Sequence, residues 1–236
     1  MRVFAALLVA TPLCAQTAPP PHVLRWYEAG AATAGVLALM LADEPLQRSA
    51  QRMRSATSDD IASVARHVGQ PEVYVTVPLA LIGAGLLANK PNVTKAGGRA
   101  AASVALAAAV ELTLKLVIGR SRPDSGLGAH HFDSFSYKAR SMPSGHSALS
   151  WALATSLAGE TRSGWARAGL YTLAAATAWS RVNDDRHWVS DITAGSLIGF
   201  SAAKLVGGRW QVFGIEPPNW LVTNAQTRVV GLRLAF

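Results

Sequence analysis

The segment at residues 180–191, SRVNDDRHWVSD, places an arginine, a histidine and an aspartate between two apolar stretches. Arg181 stands near its start, and His187 and Asp191 stand four residues apart at its end. A solvated loop is the ordinary explanation for such a cluster of charges. The alternative is one half of an active site, whose other half then has to lie elsewhere in the chain.

The overall composition indicates one domain with an anionic partner. The chain has 236 residues, of which 50% are apolar and only 15% are charged, a length sufficient for a sizeable core. Its mean hydropathy of +0.22 is high for a soluble domain and low for a multi-pass membrane protein. The formal charge of +8 suits phosphate, phospholipid or nucleic acid. No zinc finger, basic helix or aromatic-basic sheet is recognisable, so nucleic acid is not expected as a partner.

The first fifteen residues, MRVFAALLVATPLCA, have the pattern of a secretory signal peptide. Arg2 supplies the positive charge, residues 3–9 supply the short apolar run, and Ala15 is a plausible cleavage position. A first transmembrane helix is the alternative, but the run is shorter than the roughly 20 residues that a span needs. Cys14, the single cysteine, lies inside this segment. We therefore expect an exported protein without disulfides or thiol chemistry.

Apolar stretches separated by polar segments predict a helical bundle. The stretches are residues 29–42, 73–89, 101–119, 146–159, 165–179 and 192–206. They are rich in alanine, glycine and serine, which let helices approach closely. Only residues 73–89 approach the length needed to span a bilayer without a charge. The sequence thus predicts an all-α bundle and leaves open whether lipid surrounds it.

The C-terminal tail changes to a strand-like pattern. Leu232, Leu234 and Phe236 alternate with other residues, which is the period of a β-strand. Residues 210–215 are predicted to pair with this strand as a short β-hairpin. We therefore divide the chain into four parts: residues 1–15 as signal peptide, 16–72 as an N-terminal helical segment, 73–207 as the core, and 208–236 as the tail.

Three short polar segments interrupt the apolar helices. The first is KLVIGRSRP at residues 115–123, the second is PSGHS at residues 143–147, and the third is residues 180–191. Each alone has an ordinary explanation, such as basic side chains capping helix carbonyls. Because all three lie at ends of apolar helices, their joint occurrence indicates one shared site.

The basic residues of the three segments suit a phosphoryl group. Arginine presents forked donors that match phosphate, and lysine adds a point charge. A Ser-Gly step at a helix start adds backbone N–H groups and the positive end of the helix dipole. The candidate phosphate-binding residues are Lys115, Arg122, Ser144, Gly145 and Arg181.

The two histidines then remain for the chemistry. A neutral imidazole can attack phosphorus, and a carboxylate on its other nitrogen fixes its tautomer. Asp191 can serve His187 in this way, and Ser190 is predicted to cap the helix that follows. His146 is expected opposite, protonating the departing oxygen.

The remaining polar residues have structural explanations. Glu111 lies one turn before Lys115, so an i,i+4 ion pair that holds the lysine is one interpretation and a catalytic role is the other. His130 and His131 lack partners at metal-ligand spacing, so we expect a solvated loop and no metal. Arg120 is expected at the surface.

Together, the three segments resemble the complete signature of the type 2 phosphatidic acid phosphatase superfamily, which also includes class A acid phosphatases and vanadium haloperoxidases. The resemblance covers residues 73–207 and rests on Lys115, Arg122, Pro123, Pro143, Ser144, Gly145, His146, Ser180, Arg181, His187 and Asp191. It implies a helical bundle that hydrolyses a phosphomonoester or pyrophosphate without metal or cofactor.

The resemblance also implies a role for each residue. His187 becomes the nucleophile that forms a phosphohistidine, Asp191 orients it, and His146 is the leaving-group acid. The five basic and helix-start residues become the phosphate pocket. In membrane-bound members the site faces the non-cytoplasmic side, which agrees with an exported N-terminus.

The leading expectation is an exported phosphatase of the bacterial envelope, acting on a phosphorylated lipid or isoprenoid at the periplasmic face of the membrane. A soluble periplasmic acid phosphatase and a vanadium-dependent haloperoxidase are the enzymatic alternatives. A protein that merely binds anionic lipid is a third possibility, which the two histidines and Asp191 disfavour.

Overall fold

The computed structural model describes residues 20–136 and 140–212, and within them the chain is a bundle of α-helices, as predicted. The helices are α1 (Trp26–Met40), α2 (Asp43–Arg52), α3 (Ala56–Val68), α4 (Pro71–Leu87), α5 (Pro91–Ile118), α6 (Gly145–Ala158), α7 (Gly164–Asn183) and α8 (Val189–Val206). Two short strands, β1 (His22–Leu24) and β2 (Trp210–Val212), and a 3-10 turn at Pro123–Ser125 complete the described chain.

Helix α6 lies at the centre, packed against α5, α7 and α8. Its contacts with α8 depend on small side chains: Ala148 and Ala152 are fully buried, and a Cβ added at Gly199 would overlap the carbonyl oxygen of Ala148. Because an added methyl group would push the helices apart, small residues allow the close packing of α6 and α8, as predicted.

A left-handed glycine ends α5 and turns the chain across the end of the bundle. Gly119 has φ +59° and caps the helix, a conformation that glycine adopts without strain. A Cβ here would overlap the carbonyl oxygen of Asp133, whose N–H donates to the carbonyl of Gly119 at 2.7 Å. The residues that follow, beginning with Arg120, therefore enter the interior near the start of α8.

The cap of α8 differs from the prediction. Trp188 is the cap residue, and its N–H donates to Oδ2 of Asp191 at 2.9 Å. Ser190, predicted as the cap, lies inside the helix, because its side chain and N–H are bound by Asp43 of α2 instead. The carboxylate of Asp191 thus both stabilises the helix start and faces the loop before it.

Two described helices, α5 and α8, are long and apolar enough to cross a membrane. The bent pairs α1–α2 (59°) and α3–α4 (44°) join them if each pair is counted as one span. The expectation that only residues 73–89 approach spanning length is therefore wrong. Helix α4 has 17 residues, whereas α5 has 28, because a proline in its first turn starts the helix at Pro91 well before the apolar run.

The strand predicted within residues 210–215 is present at Trp210–Val212, but it pairs in parallel with β1, with His22 opposite Trp210. This pairing holds the segment before α1 against the end of α8. The predicted hairpin partner in residues 213–236 and the predicted signal peptide at residues 1–15 lie outside the described residues.

Candidate active site

A cavity of about 310 Å³ lies at the end of the bundle where α5 ends and α6 begins. Its lining consists of Gly69, Pro71, Tyr74, Lys115, Arg122, Gly145, His146, Leu149, Arg181, Arg186 and His187. Six of the eight predicted site residues are in this lining. The other two are Ser144, one residue before Gly145, and Asp191, which is fully buried behind His187. The three polar segments therefore meet at one place.

Three cationic side chains converge on the cavity from separate elements. Lys115 comes from the last turn of α5 and pairs with Glu111, as the i,i+4 spacing predicts. Arg181 comes from the end of α7, with its Nη2 3.2 Å from Oδ2 of Asp184, and its buried Nε has no hydrogen-bond partner among the described residues. Arg122 follows α5. This arrangement favours an anion with several oxygens.

The start of α6 forms another side of the cavity. Gly145 is the first helical residue, and the first amides of a helix have no intrahelical acceptor. The N–H of Ser144 donates to the carbonyl oxygen of Asp191 at 3.0 Å, so its amide faces α8. A Cβ at Gly145 would lie 2.8 Å from Oε1 of Glu111. Gly145 therefore lets the carboxylate that holds Lys115 pack against the helix start.

His187 lies with one ring nitrogen toward a buried carboxylate. Its Nδ1 is 3.6 Å from Oδ2 of Asp191, slightly beyond a hydrogen bond, and has no closer partner among the described residues. Since His187 lines the cavity, Nε2 is the nitrogen left for a ligand. Burial lowers the pKa of His187, although the Asp191 carboxylate opposes this effect, so the ring is neutral at neutral pH.

His146, on the first turn of α6, has no carboxylate among the groups that shift its pKa. Burial and then the positive charge of Arg181 lower the pKa of His146 from 6.5 to about 4. Its backbone carbonyl accepts a hydrogen bond from the Tyr74 hydroxyl at 3.4 Å. The cavity thus holds two neutral imidazoles among fixed cations.

Comparison with known proteins agrees with this geometry. Residues 96–211 match the model of the PAP2 superfamily, a range that contains all eight predicted site residues. The region that carries the site, residues 96–211, therefore belongs to the PAP2 superfamily. It is also similar to a lipid A 1-phosphatase of Porphyromonas gingivalis, with 37% identity over 98 residues. That alignment covers 41% of this chain and spans only 19% of the relative's length.

Two solved structures share the PAP2 fold. One is a transmembrane PAP2 type phosphatidylglycerolphosphate phosphatase from Bacillus subtilis, with a TM-score of 0.60 and 22% identity over 77% of this chain and 95% of that chain. The other is Aquifex aeolicus LpxE, with a TM-score of 0.50 and 21% identity over 68% of this chain and 92% of that chain. At these identities the likeness concerns the fold.

Arg120 lies within the PAP2 match, and its predicted surface position is wrong. Its side chain is fully buried. The guanidinium donates to Asp191, Ser190, Asp43 and the carbonyl oxygen of Ala129 at 2.7–2.8 Å. The only sequence signal was its place between Lys115 and Arg122, because a run of basic residues does not show which of them turns inward.

Asp43 precedes the PAP2 match and was missed altogether. It begins α2, is fully buried, and accepts hydrogen bonds from the N–H of Ser190 at 2.9 Å and from Arg120 at 2.8 Å. Its sequence signal was the abrupt carboxylate at the end of an apolar stretch. Tyr74 and Arg186 also line the cavity without having been predicted.

Proposed function

We propose that this protein is a metal-independent phosphatase that hydrolyses a phosphomonoester or pyrophosphate of a lipid or isoprenoid through a phosphohistidine. The observation that carries the proposal is the approach of His187 to a fully buried carboxylate, Asp191, at a cavity lined by three cations and a second histidine. This is the set of groups that phosphoryl transfer to a nitrogen nucleophile needs.

In the first step, Nε2 of His187 attacks phosphorus and the bond from phosphorus to the leaving oxygen breaks. The lowered pKa of His187 keeps the ring neutral and its lone pair free at neutral pH. As the nitrogen bonds to phosphorus, positive charge develops on the ring. Asp191, beside Nδ1, stabilises that charge and holds the proton on the far nitrogen.

The oxygens of the transferring group need compensation for their charge. Lys115, Arg122 and Arg181 face the cavity from different elements, so they can contact separate phosphoryl oxygens. Donors that are held in place before the reaction stabilise the transition state without reorganisation. The ion pair with Glu111 holds Lys115 in position for this role.

His146 protonates the leaving oxygen in the first step. Its pKa of about 4 applies to a ring surrounded by cations. A phosphate dianion in the same cavity favours the protonated ring and raises that pKa. After the leaving group departs, neutral His146 takes a proton from water, which attacks the phosphohistidine and releases phosphate.

A lipid substrate is supported by the surroundings of the site. The cavity lies where α5 ends and near where α8 begins, and these two helices are apolar and long enough for a membrane. A phosphate bound at the ends of helices that cross a bilayer can be reached from the bilayer surface. The relative from Porphyromonas gingivalis is a lipid A phosphatase by name. We propose membrane association, with the site facing the periplasm in accord with the signal-like residues 1–15.

The test is phosphate release by the purified protein in detergent with EDTA. Phosphatidate, lipid A, undecaprenyl pyrophosphate and para-nitrophenyl phosphate are compared as substrates. We expect turnover of at least one lipid, and none by His187→Ala. The control is His22→Ala, since His22 pairs with β2 at the opposite end of α8 and should retain activity.

Other outcomes identify the alternatives. A soluble acid phosphatase would hydrolyse para-nitrophenyl phosphate faster than any lipid and would not sediment with membranes. A haloperoxidase would oxidise bromide only with added vanadate. Full activity of His187→Ala would exclude the phosphohistidine.

A further inference from the structure

We infer that Asp43 and Arg120 are positioning residues, which hold the carboxylate of Asp191 and, through it, the ring of His187. The inference rests on the proposed function. It assigns a part in the reaction to α2, an element that precedes the PAP2 match at residues 96–211.

The guanidinium of Arg120 donates hydrogen bonds from all three of its nitrogens. Its Nε donates to the carbonyl of Ala129 at 2.8 Å. Its Nη1 donates to Oδ1 of Asp191 at 2.8 Å and to Oγ of Ser190 at 2.7 Å, and its Nη2 donates to Oδ2 of Asp43 at 2.8 Å. The side chains of Arg120, Asp43 and Asp191 are all 0% exposed. A planar fork held at each nitrogen has one orientation available.

The Asp191 carboxylate is held from the other side as well. Its Oδ2 accepts from Oγ of Ser141 at 2.5 Å and from the N–H of Trp188 at 2.9 Å. With Arg120 on Oδ1, both oxygens are fixed and the carboxylate cannot rotate. The distance of 3.6 Å to Nδ1 of His187 is therefore set by residues that do not line the cavity.

The charges of this cluster leave a surplus. Asp43 and Asp191 carry two negative charges, and Arg120 carries one positive charge. If Arg120 paired with Asp191 and Asp43 were absent, the positive and negative charges would cancel in an interior that excludes water. Asp43 occupies part of the guanidinium, so one net negative charge remains beside His187. Because charges interact strongly where water is excluded, this surplus favours the positive charge that develops on the ring during attack on phosphorus.

The geometry predicts an effect on turnover rather than on substrate binding. Asp43 and Arg120 do not line the cavity, so the contacts with phosphate are unchanged in their variants. Asp43→Asn keeps the shape and removes the charge. A shift of the ring by a fraction of an ångström, with loss of the charge, should lower kcat by roughly 10- to 100-fold. KM should change less than about twofold.

A double-mutant comparison separates positioning from a merely structural role. If Asp43 acts through Asp191, Asp43→Asn should lower kcat in the wild type but should add less than about twofold loss in an Asp191→Asn background. Arg120→Lys, which keeps the charge and loses the fork, should behave in the same way. Equal losses in both backgrounds, or unchanged kcat in Asp43→Asn, would overturn the inference.

Controls keep folding and function distinguishable. Glu44→Gln, on the same helix and with a side chain 42% exposed, should keep kcat within about twofold. Turnover is expressed per site that binds orthovanadate, so that unfolded protein is not counted. If the wild type releases no phosphate or His187→Ala stays active, the proposed function fails. If both behave as proposed while Asp43→Asn is unaffected, only the positioning inference fails.

Discussion

His187 and His146 lie on the wall of the same cavity, but their surroundings are opposite. His187 has a buried carboxylate 3.6 Å behind its ring, whereas cations and His187 itself surround His146. In the proposed mechanism, this difference prepares one type of side chain for two tasks. A nearby carboxylate suits the ring that becomes positively charged on bonding to phosphorus. A cationic setting suits the ring that gains a proton only when a phosphate is present.

Removing His187 should have the largest effect. His187→Ala should lower kcat by roughly 10⁴-fold or more, because the proposed covalent bond to phosphorus forms on this ring. The measurement is acid-labile radioactive phosphate bound to the protein after rapid quenching with a labelled substrate. Label retained by His187→Ala would assign the nucleophile to another residue.

Removing His146 should have an effect that depends on the leaving group. His146→Ala should lower kcat on a lipid phosphomonoester by roughly 10²- to 10⁴-fold, since an alkoxide leaves poorly without a proton. The loss should be much smaller with para-nitrophenyl phosphate, whose leaving group needs no proton. Equal losses on both substrates would contradict the role of His146 as the acid that protonates the leaving group.

Adding a methyl group at the start of α6 tests the position of Lys115, one of the cations near His146. Gly145→Ala places Cβ 2.8 Å from Oε1 of Glu111, which must move together with its partner Lys115. We expect kcat/KM to fall by roughly 10- to 100-fold. Gly164→Ala is the matched control, because Gly164 also begins a helix and a Cβ there meets nothing within 4 Å. Similar losses in both variants would attribute the effect to helix stability alone.

The last expected effect concerns stability at acid pH and leaves the catalytic rate at neutral pH unchanged. With a pKa near 4 in the folded protein and about 6.5 unfolded, His146 binds its proton more readily in the unfolded chain between these values. Stability therefore falls as pH drops from 6.5 toward 4, by up to roughly 3 kcal/mol from this residue.

Thermal melting in detergent at pH 7 and pH 4.5 measures this loss. Replacement of His146 by alanine should reduce the difference in Tm between the two pH values, although the lowered pKa of His187 contributes a dependence of the same direction. An unchanged difference in the His146→Ala variant would mean that this ring is not held neutral by its surroundings.

The residues gathered around the cavity were predictable because charge is scarce in this chain. Lys115, Arg122 and Arg181 stand out at ends of apolar helices, where burying a charge is unfavourable unless a partner or a ligand compensates it. Arg120 shows where that reasoning fails. It lies two residues before Arg122, yet it turns inward to carboxylates 77 and 71 residues away along the chain. The proline after Arg122 marks that arginine as part of the family signature, but no neighbour of Arg120 in the sequence shows that its side chain turns inward.

The helical class was predictable for a similar reason, since the apolar stretches and their small residues allow little else. Helix limits were less accurate: α5 begins at Pro91 because polar residues in its first turns are compatible with a helix. The partner of β2 could not be predicted, since a strand pattern of a few residues does not specify whether a neighbour is parallel or near in sequence.

The amino-acid order alone established the bundle, its three polar interruptions and the two histidines, because these depend on local periodicity and on the chemistry of individual side chains. The pairing of His187 with Asp191 follows from their spacing of four residues, whereas the folded arrangement determined which cations surround His146. It also brought Asp43 from α2 to Arg120 and Ser190. Such pairings depend on distances between residues far apart in the chain, and those distances are set when the helices pack.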